Sequence, residues 1–295
     1  MAKKTISRKI GKEKCTLGVA GWILFGVFAL YTLILLVPYI YAAFASVSNY
    51  KEYYLNIFPI PKSGIKLANY VDAWKNLKHE GNGVPEMILN SLWFAGGTAV
   101  LNVFLSSCGA YICSKYKFRG RKFLYWFALI TMMIPIVGSM PSQLKFISNM
   151  GVYNSRWYIF VNAGTIGATF IIMYSCFQNL DWAYAESAFI DGAGHFTVFF
   201  KIMLPQVISP MTALILSDSI IGWTDVESSL VYYPELPTLA TGLYHFRSFV
   251  TTVEGMRRYP AYFAAILLCI IPTAVLFSIF QKKLMDIQLS GGIKG

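Results

Sequence analysis

Few side chains that could carry out chemistry lie within the apolar part of this 295-residue sequence. Asp218 is the most informative of them, because an ionisable group inside an apolar span is costly and normally faces a cavity or a partner. Its carboxylate could accept hydrogen bonds from ligand hydroxyl groups, or it could bond to a neighbouring helix, and both alternatives stay open. The three histidines, His79, His195 and His245, lie in segments predicted to be loops. We therefore expect no His–Asp or Ser–Lys catalytic cluster at membrane depth.

The other reactive groups do not form a recognised site either. Most of the five cysteines lie in or at the ends of apolar segments, so we interpret them as small buried hydrophobic residues and not as metal ligands or disulfide partners. The pattern G-x-x-x-x-G-K-[ST] does not occur, so this chain by itself cannot hold the phosphates of ATP. We expect no catalytic residue, no metal and no cofactor in the chain.

The composition is that of a membrane protein. Hydrophobic residues make up 56% of the chain and charged residues only 13%, whereas soluble domains carry about 25% charged residues. The net charge is +11, but the basic residues flank apolar spans, which favours a role in membrane topology over nucleic-acid binding. We expect a lipid bilayer, and no nucleic acid, as a partner.

The apolar segments predict an all-α, polytopic fold with six transmembrane helices. The predicted boundaries are a basic tail at 1–16, a first span at 17–45, an external loop at 46–86, a membrane core at 87–285 and a C-terminal tail at 286–295. The five later spans are expected at about 87–113, 123–140, 157–177, 207–223 and 260–280. Of the 25 Lys and Arg residues, 15 fall in segments assigned to one side, so both termini are predicted to be cytoplasmic.

Shorter elements are expected between these spans. A short helix is predicted at about 69–77, and an amphipathic segment at 141–156 is expected to lie along the outer face. The segment 225–259 is predicted to be a second external loop.

The most distinctive stretch, 184–205, lies between two long apolar segments and is more polar than either. Gly192 can adopt a positive φ and end one helix. Asp191 is expected to help cap the next helix, and Pro205 is expected to stop it. The stretch therefore predicts two short helices that meet at a bend.

Apolar residues at helical spacing give this bend one apolar face. Two groups contribute: Ala185, Ala188 and Phe189 before the bend, and Phe196, Phe199, Phe200 and Met203 after it. Such a face suits docking into a groove on a partner, although an ordinary cytoplasmic helical hairpin would show the same pattern.

The same stretch resembles the "EAA" loop of ATP-binding-cassette importer permeases of the carbohydrate type. In that pattern E-A-A is followed by D-G-A, an aromatic residue and I-x-L-P. The matching positions are Glu186, Ala188, Asp191, Gly192, Ala193, Phe199, Ile202, Leu204 and Pro205. Ser187 departs from the pattern, where alanine is usual, but its small size should preserve the packing.

Further segments resemble the same family. Asn90-Ser91-Leu92 is similar to the start of its second span, Met133-Ile134-Pro135 to its M-I-P, and Gly222-Trp223-Thr224-Asp225 to its W-N-D, with Thr224 in place of asparagine. The final residues 291–295 resemble the G-A-V-K-G tail of the smaller maltose-transporter-like permease.

This resemblance implies a multi-pass protein of the bacterial cytoplasmic membrane that imports a sugar or oligosaccharide by alternating access. It implies a homologous second permease subunit, two cytoplasmic ABC ATPase subunits that bind ATP and Mg, and an extracytoplasmic sugar-binding protein. The cytoplasmic coupling-helix loop 184–205 would contact the ATPase. The residues implied in coupling are Glu186, Ala188, Asp191, Gly192, Ala193, Phe196, Phe199 and Pro205.

Five polar or aromatic residues of the spans are candidates for the substrate pathway. They are Asn102, Asn162, Asp218, Trp223 and Thr224. Each could instead join neighbouring helices. Two other functions stay open: a permease for a non-sugar solute, which the loop alone does not exclude, and an intramembrane enzyme, against which the lack of a catalytic cluster argues.

Overall fold

The computed structural model describes residues 19–134, 138–164, 166–252 and 256–291, and over these residues the chain is helical, with an isolated β-bridge between His79 and Asn82 in place of any strand. The predicted basic tail at 1–16, the M-I-P proline Pro135 and most of the tail motif at 291–295 lie outside the described residues. The described part confirms the predicted all-α class.

Three described helices are long and apolar enough to cross a membrane. They are α1 (Val19–Val47), the continuous helix formed by α4 (Val84–Ser91), a π-helical turn (Leu92–Gly97) and α5 (Thr98–Lys115), and α16 (Tyr259–Gly291). A fourth candidate is a helix pair, 195–206 and 208–223, with a bend of 74°. These helices correspond to the first, second, sixth and fifth predicted spans.

Two predicted spans are not single long helices. The third, predicted at 123–140, forms α6 (Arg121–Met133), and Ile134 is already extended at φ −89° and ψ 112°. Proline disfavours the helical conformation of the residue before it, and Ile134 precedes Pro135. The fourth, predicted at 157–177, breaks into α8 (Tyr158–Asn162) and α9 (Ala168–Gln178) around Gly164, whose φ is +80°.

The external loop predicted at 46–86 contains two short helices, α2 (Tyr50–Leu55) and α3 (Ala68–Asn76). The second of these confirms the helix predicted at about 69–77. The amphipathic segment predicted at 141–156 forms α7 (Met140–Asn149), with Ile147 buried.

The second predicted external loop, 225–259, is mostly helical in the structure. It contains α14 (Glu227–Tyr232), α15 (Leu239–Val250) and a 3-10 turn (Met256–Arg258). The Thr238 hydroxyl caps α15 by accepting the Thr241 N–H at 3.3 Å. One face of α15 is buried, because Leu239, Phe246 and Val250 pack in a hydrophobic core. His245 therefore lies on a helix and not in a loop.

The remaining helices form a bent hairpin: α10 (Ala183–Ile190), α11 (His195–Val198), a second π-helical turn (Phe199–Met203) and α12 (Leu204–Gln206), followed by α13 (Ile208–Trp223). Its inner residues join a core, here called the first core, with residues of α5, α9 and α13. Its members include Val103, Tyr111, Phe170, Met173, Phe177, Ala185, Ala188, Phe199, Met203 and Met211. The hairpin is thus packed onto the long helices.

Candidate functional site

The bend of the hairpin is built by backbone hydrogen bonds. After α10, the Gly192 N–H donates to the Phe189 carbonyl at 3.0 Å and the Ala193 N–H donates to the Ala188 carbonyl at 2.9 Å. This pair of bonds is a Schellman motif, which requires the left-handed conformation at the residue after the helix cap. Gly192 supplies it, with φ +83°. A Cβ at this position would meet no atom within 4 Å, so glycine is needed for the backbone conformation and not for space.

Two details of the predicted bend are corrected by the structure. Asp191 does not cap the next helix; it is the exposed C-cap of α10, and Gly194 is the N-cap of α11, without a side-chain hydrogen bond. Pro205 does not stop the second helix, which continues to Gln206 before the 74° bend. A π-helical turn and a proline are both recognised causes of helix bends, and here they follow each other directly.

The predicted aromatic stripe divides between the two sides of the hairpin. Phe199 and Met203 are buried, whereas Phe196 is 83% exposed and Phe200 is 48% exposed. Phe196 lies in α11, before the π-helical turn that starts at Phe199, and the adjoining core residues are Val198 and Phe199, so the four positions do not share one face.

The hairpin therefore has a buried side and an exposed side. The exposed side, here called the outer face, carries two charged and three large apolar side chains. Its members are Tyr184, Glu186, Ile190, Asp191 and Phe196. The side chain of Ile190, the last residue of α10, is 86% exposed. An apolar surface of this kind, beside charged residues, indicates an interaction site.

Polar contacts attach the hairpin to the end of α5. The Lys115 ammonium donates to the Leu180 carbonyl at 2.6 Å, and the Tyr116 hydroxyl and His195 Nδ1 are hydrogen bonded at 2.9 Å. The rings of Tyr111 and Phe199 pack with their centroids 4.8 Å apart. These contacts cannot be predicted from local sequence, because the partners are far apart in the chain. They hold the hairpin at a fixed position relative to α5.

A polar cavity lies between α5, α8, α13 and α14. It has a volume of about 300 Å³ and is here called the Asp218 cavity. Three predicted pathway residues line it: Asp218, Asn102 and Asn162. Asn102 Nδ2 donates to Asp218 Oδ2 at 2.9 Å. Both alternatives for Asp218 therefore apply, since it bonds to a neighbouring helix and also borders a cavity.

Trp223 and Thr224 lie elsewhere. They border a separate cavity of about 330 Å³, together with Arg247, and Trp223 is buried against α15 and α16. The structure thus brings three of the five candidates together and places the other two at a different cavity.

Other residues of the Asp218 cavity are not among the predicted pathway residues. Tyr158, Asp225, Ser228 and Tyr233 line it. In a continuous helix, a spacing of seven residues would place Asp218 and Asp225 near one face, and this was the signal that could have found Asp225, although α13 ends at Trp223. The aromatic residues carry no such local signal, since α8 and α14 meet only in the folded chain.

A second cavity adjoins the first. It has a volume of about 550 Å³, is here called the Glu227 cavity, and shares Tyr158, Asn162 and Ser228 with the Asp218 cavity. Because they share these side chains, the two cavities are neighbours, and together they are here called the polar space.

The two histidines of the 46–86 and 225–259 segments form a stacked pair. The rings of His79 and His245 lie 3.6 Å apart at an angle of 10°. Burial lowers the pKa of His245, the His79 ring lowers it further, and Glu80 opposes both effects. Among the described residues, no three His, Cys, Asp or Glu side chains are arranged to hold a metal ion.

Long apolar helices, a polar cavity and a hairpin with exposed apolar side chains are together typical of a helical membrane protein. Residues 103–285 match the family described as "Binding-protein-dependent transport system inner membrane component", and the chain belongs to this family. It is thus a transport subunit and not an enzyme, as the resemblance of the loop 184–205 implies.

Individual relatives agree with this assignment. The chain is 30% identical over 211 residues to the maltodextrin transport system permease protein MdxG of Bacillus subtilis (strain 168), covering 70% of this chain and 74% of that protein. It is 25% identical over 259 residues to the diacetylchitobiose uptake system permease protein NgcG of Streptomyces coelicolor, covering 86% and 83%.

A solved structure supports the fold. A chain of a bacterial ABC transporter involved in the import of the acidic polysaccharide alginate matches with a TM-score of 0.74 and 20% identity, covering 90% of this chain and 96% of that chain.

Proposed function

We propose that this chain is the permease subunit of an ATP-driven importer for a sugar or oligosaccharide and works by alternating access. Two relatives named for maltodextrin and diacetylchitobiose uptake support a saccharide as the solute. The polar space formed by the Asp218 and Glu227 cavities is compatible with such a solute, because it combines amide, hydroxyl and carboxylate groups with aromatic rings.

The observation that carries this proposal is the outer face of the hairpin. Glu186, Ile190 and Phe196 are exposed there, while Ala185 and Phe199 fix the other side in the first core. A rigid element that ends in exposed apolar side chains can transmit movement between a partner and the long helices. We assign this role to the loop 184–205, with a separate ATPase as the partner.

The proposed assembly contains this chain, a homologous second permease subunit, two cytoplasmic ABC ATPase subunits and an extracytoplasmic sugar-binding protein. ATP and Mg would be bound by the ATPase subunits. Glu186, Asp191 and Phe196 would contact the ATPase from the outer face, while Ala188, Gly192, Ala193, Phe199 and Pro205 would shape the bend.

The proposed topology has six spans in the bacterial cytoplasmic membrane, with both termini in the cytoplasm. The broken helices α8 and α9 would form one span around Gly164, and α6 would form another with the residues after it. The loop at 114–122 supports this orientation, because it holds five basic residues and no acidic one.

The proposed substrate pathway passes through the Asp218 cavity. Asp218, Asn102 and Asn162 would accept and donate hydrogen bonds to saccharide hydroxyl groups. Trp223 and Thr224 stay candidates for a second part of the pathway at their own cavity.

The test is reconstitution of the importer from this chain and its co-encoded subunits in proteoliposomes. We expect ATP-dependent accumulation of a labelled neutral oligosaccharide, for example maltotriose or diacetylchitobiose, that disappears when this chain is omitted. Accumulation of an amino acid or peptide with no saccharide uptake would instead favour a permease for a non-sugar solute.

A further inference from the structure

The polar space formed by the Asp218 and Glu227 cavities is strongly acidic. Asp218 and Asp225 border the first cavity and Glu227 borders the second. Among the described residues that line either cavity, none is Lys, Arg or His. Every formal charge of this lining is therefore negative.

The two carboxylates of the Asp218 cavity are held in position by hydrogen bonds. Asn102 Nδ2 donates to Asp218 Oδ2 at 2.9 Å, and the Ser228 N–H donates to Asp225 Oδ1 at 3.0 Å. Since both donors belong to packed helices, the carboxylates cannot move far from the cavity without losing these bonds.

The rest of the lining is neutral and suited to a saccharide. Asn162, Thr98, Thr169 and Ser228 carry amide and hydroxyl groups. The rings of Phe94 and Tyr233 are stacked 3.8 Å apart and border the same space. Such a lining offers hydrogen bonds to hydroxyl groups and an apolar surface to a sugar ring.

A saccharide that carries carboxylates needs different partners. Proteins bind carboxylates with Arg or Lys side chains, often through paired hydrogen bonds. Like charges brought together in a partly enclosed space repel each other more strongly than in water. The fold alone does not set this preference, because a protein of the same fold belongs to an importer of an acidic polysaccharide.

We propose that the solute that passes through the Asp218 cavity is a saccharide without carboxylate groups, either neutral or amine-bearing, and that Asp218, Asp225 and Glu227 exclude saccharides built from uronic acids. This proposal rests on the proposed function as a saccharide permease and adds the charge class of the solute.

The test compares two disaccharides that differ mainly at carbon 6. Galactobiose carries hydroxyl groups there and digalacturonate carries carboxylates. Binding to the purified importer, without its binding protein and without nucleotide, is measured by saturation-transfer NMR. We expect galactobiose to bind. Digalacturonate should bind at least about tenfold more weakly, as expected for like charges in a medium of intermediate dielectric constant.

Two variants assign the effect to the cavity. The double variant Asp218→Asn/Asp225→Asn is expected to bring digalacturonate binding close to that of galactobiose. Glu235→Gln is the matched control, because Glu235 is an exposed acid next to this region that does not line either cavity. We expect it to leave the difference unchanged.

Added salt gives a measurement that does not depend on variants. Salt screens the repulsion between charges. Raising the salt concentration should therefore reduce the difference in binding affinity between the two sugars in the unmodified importer. If digalacturonate binds as strongly as galactobiose or more strongly, the proposed charge class of the solute is wrong. The proposed function as a saccharide permease would not be contradicted by that result. Absence of binding by both sugars would overturn the cavity as a saccharide site.

Discussion

Replacing Gly192 with valine is expected to disturb the bend of the hairpin while the long helices still insert. Gly192 has φ +83° and lies in a Schellman motif. A Cβ there would meet no atom within 4 Å, so the main perturbation is to the backbone conformation. We expect weakened retention of the ATPase and loss of transport.

The size of the effect follows from two competing costs. Keeping the left-handed conformation costs a non-glycine residue about 1–2 kcal/mol. Leaving it would break the bonds from the Gly192 and Ala193 N–H groups, each worth about 0.5–1.5 kcal/mol net. Either route costs about 1–3 kcal/mol, so the population of the bent conformation relative to alternatives should fall by about fivefold to a hundredfold.

The assay is co-purification of the ATPase with tagged importer, followed by ATP-dependent uptake. Gly194→Val is the matched control: Gly194 is also exposed, a Cβ there also meets no atom within 4 Å, and its φ of −76° and ψ of 161° are accessible to valine. We expect near-normal assembly for this control. Normal ATPase retention and transport in Gly192→Val would refute the assignment of the bend as the coupling element.

Three further predictions concern other parts of the chain. Asp218→Asn keeps a hydrogen-bond acceptor but loses the charge, so uptake should fall by about fivefold, since bonds to charged groups exceed neutral ones by about 1 kcal/mol; unchanged uptake would place Asp218 outside the pathway. A reporter fused after Lys122 should be cytoplasmic and one within 46–86 external, and the reverse pattern would contradict the topology. Burial and the stacked His79 ring lower the pKa of His245 below its ordinary value of 6.5, so the unfolded state takes up the proton more readily. Stability should be full above about pH 6.5 and fall as pH drops through the folded-state pKa; His245→Gln should flatten this dependence in thermal unfolding of the importer, and an equal dependence in that variant would contradict it.

Local rules account for the parts of the hairpin that the sequence predicts. The turn at Gly192 follows from the conformational freedom of glycine and from the apolar residues at helical spacing on either side of it. The π-helical turn at Phe199–Met203 was not predictable, because no local residue preference specifies it. Helical spacing also predicts one aromatic stripe, whereas the structure places Phe196 outside and Phe199 inside, because only Phe199 packs into the first core.

The cavities depend on contacts between distant parts of the chain. Asn102 and Asp218 are 116 positions apart, and only the packing of α5 against α13 brings them within hydrogen-bond distance. The apolar composition of the third and fourth spans predicts uninterrupted helices. The breaks at Ile134 and Gly164 arise from backbone preferences of single residues and cannot be seen in the composition. The helix α15 within 225–259 is stabilised by burial of one of its faces. The polarity averaged over the whole segment does not reveal this face.

The central claim, that the outer face of the hairpin contacts a separate ATPase, is tested most directly by cross-linking. Phe196 is 83% exposed on this face, whereas Trp126 is 60% exposed on α6, is not a residue of this face and serves as the control. In membranes that contain the whole importer and lack other reactive cysteines in this chain, Phe196→Cys should form a cross-link to the ATPase subunit that changes with added ATP, and Trp126→Cys should not. The Phe196→Cys variant could assemble and transport normally and still form no cross-link to the ATPase with any short cross-linker. That result would contradict the account.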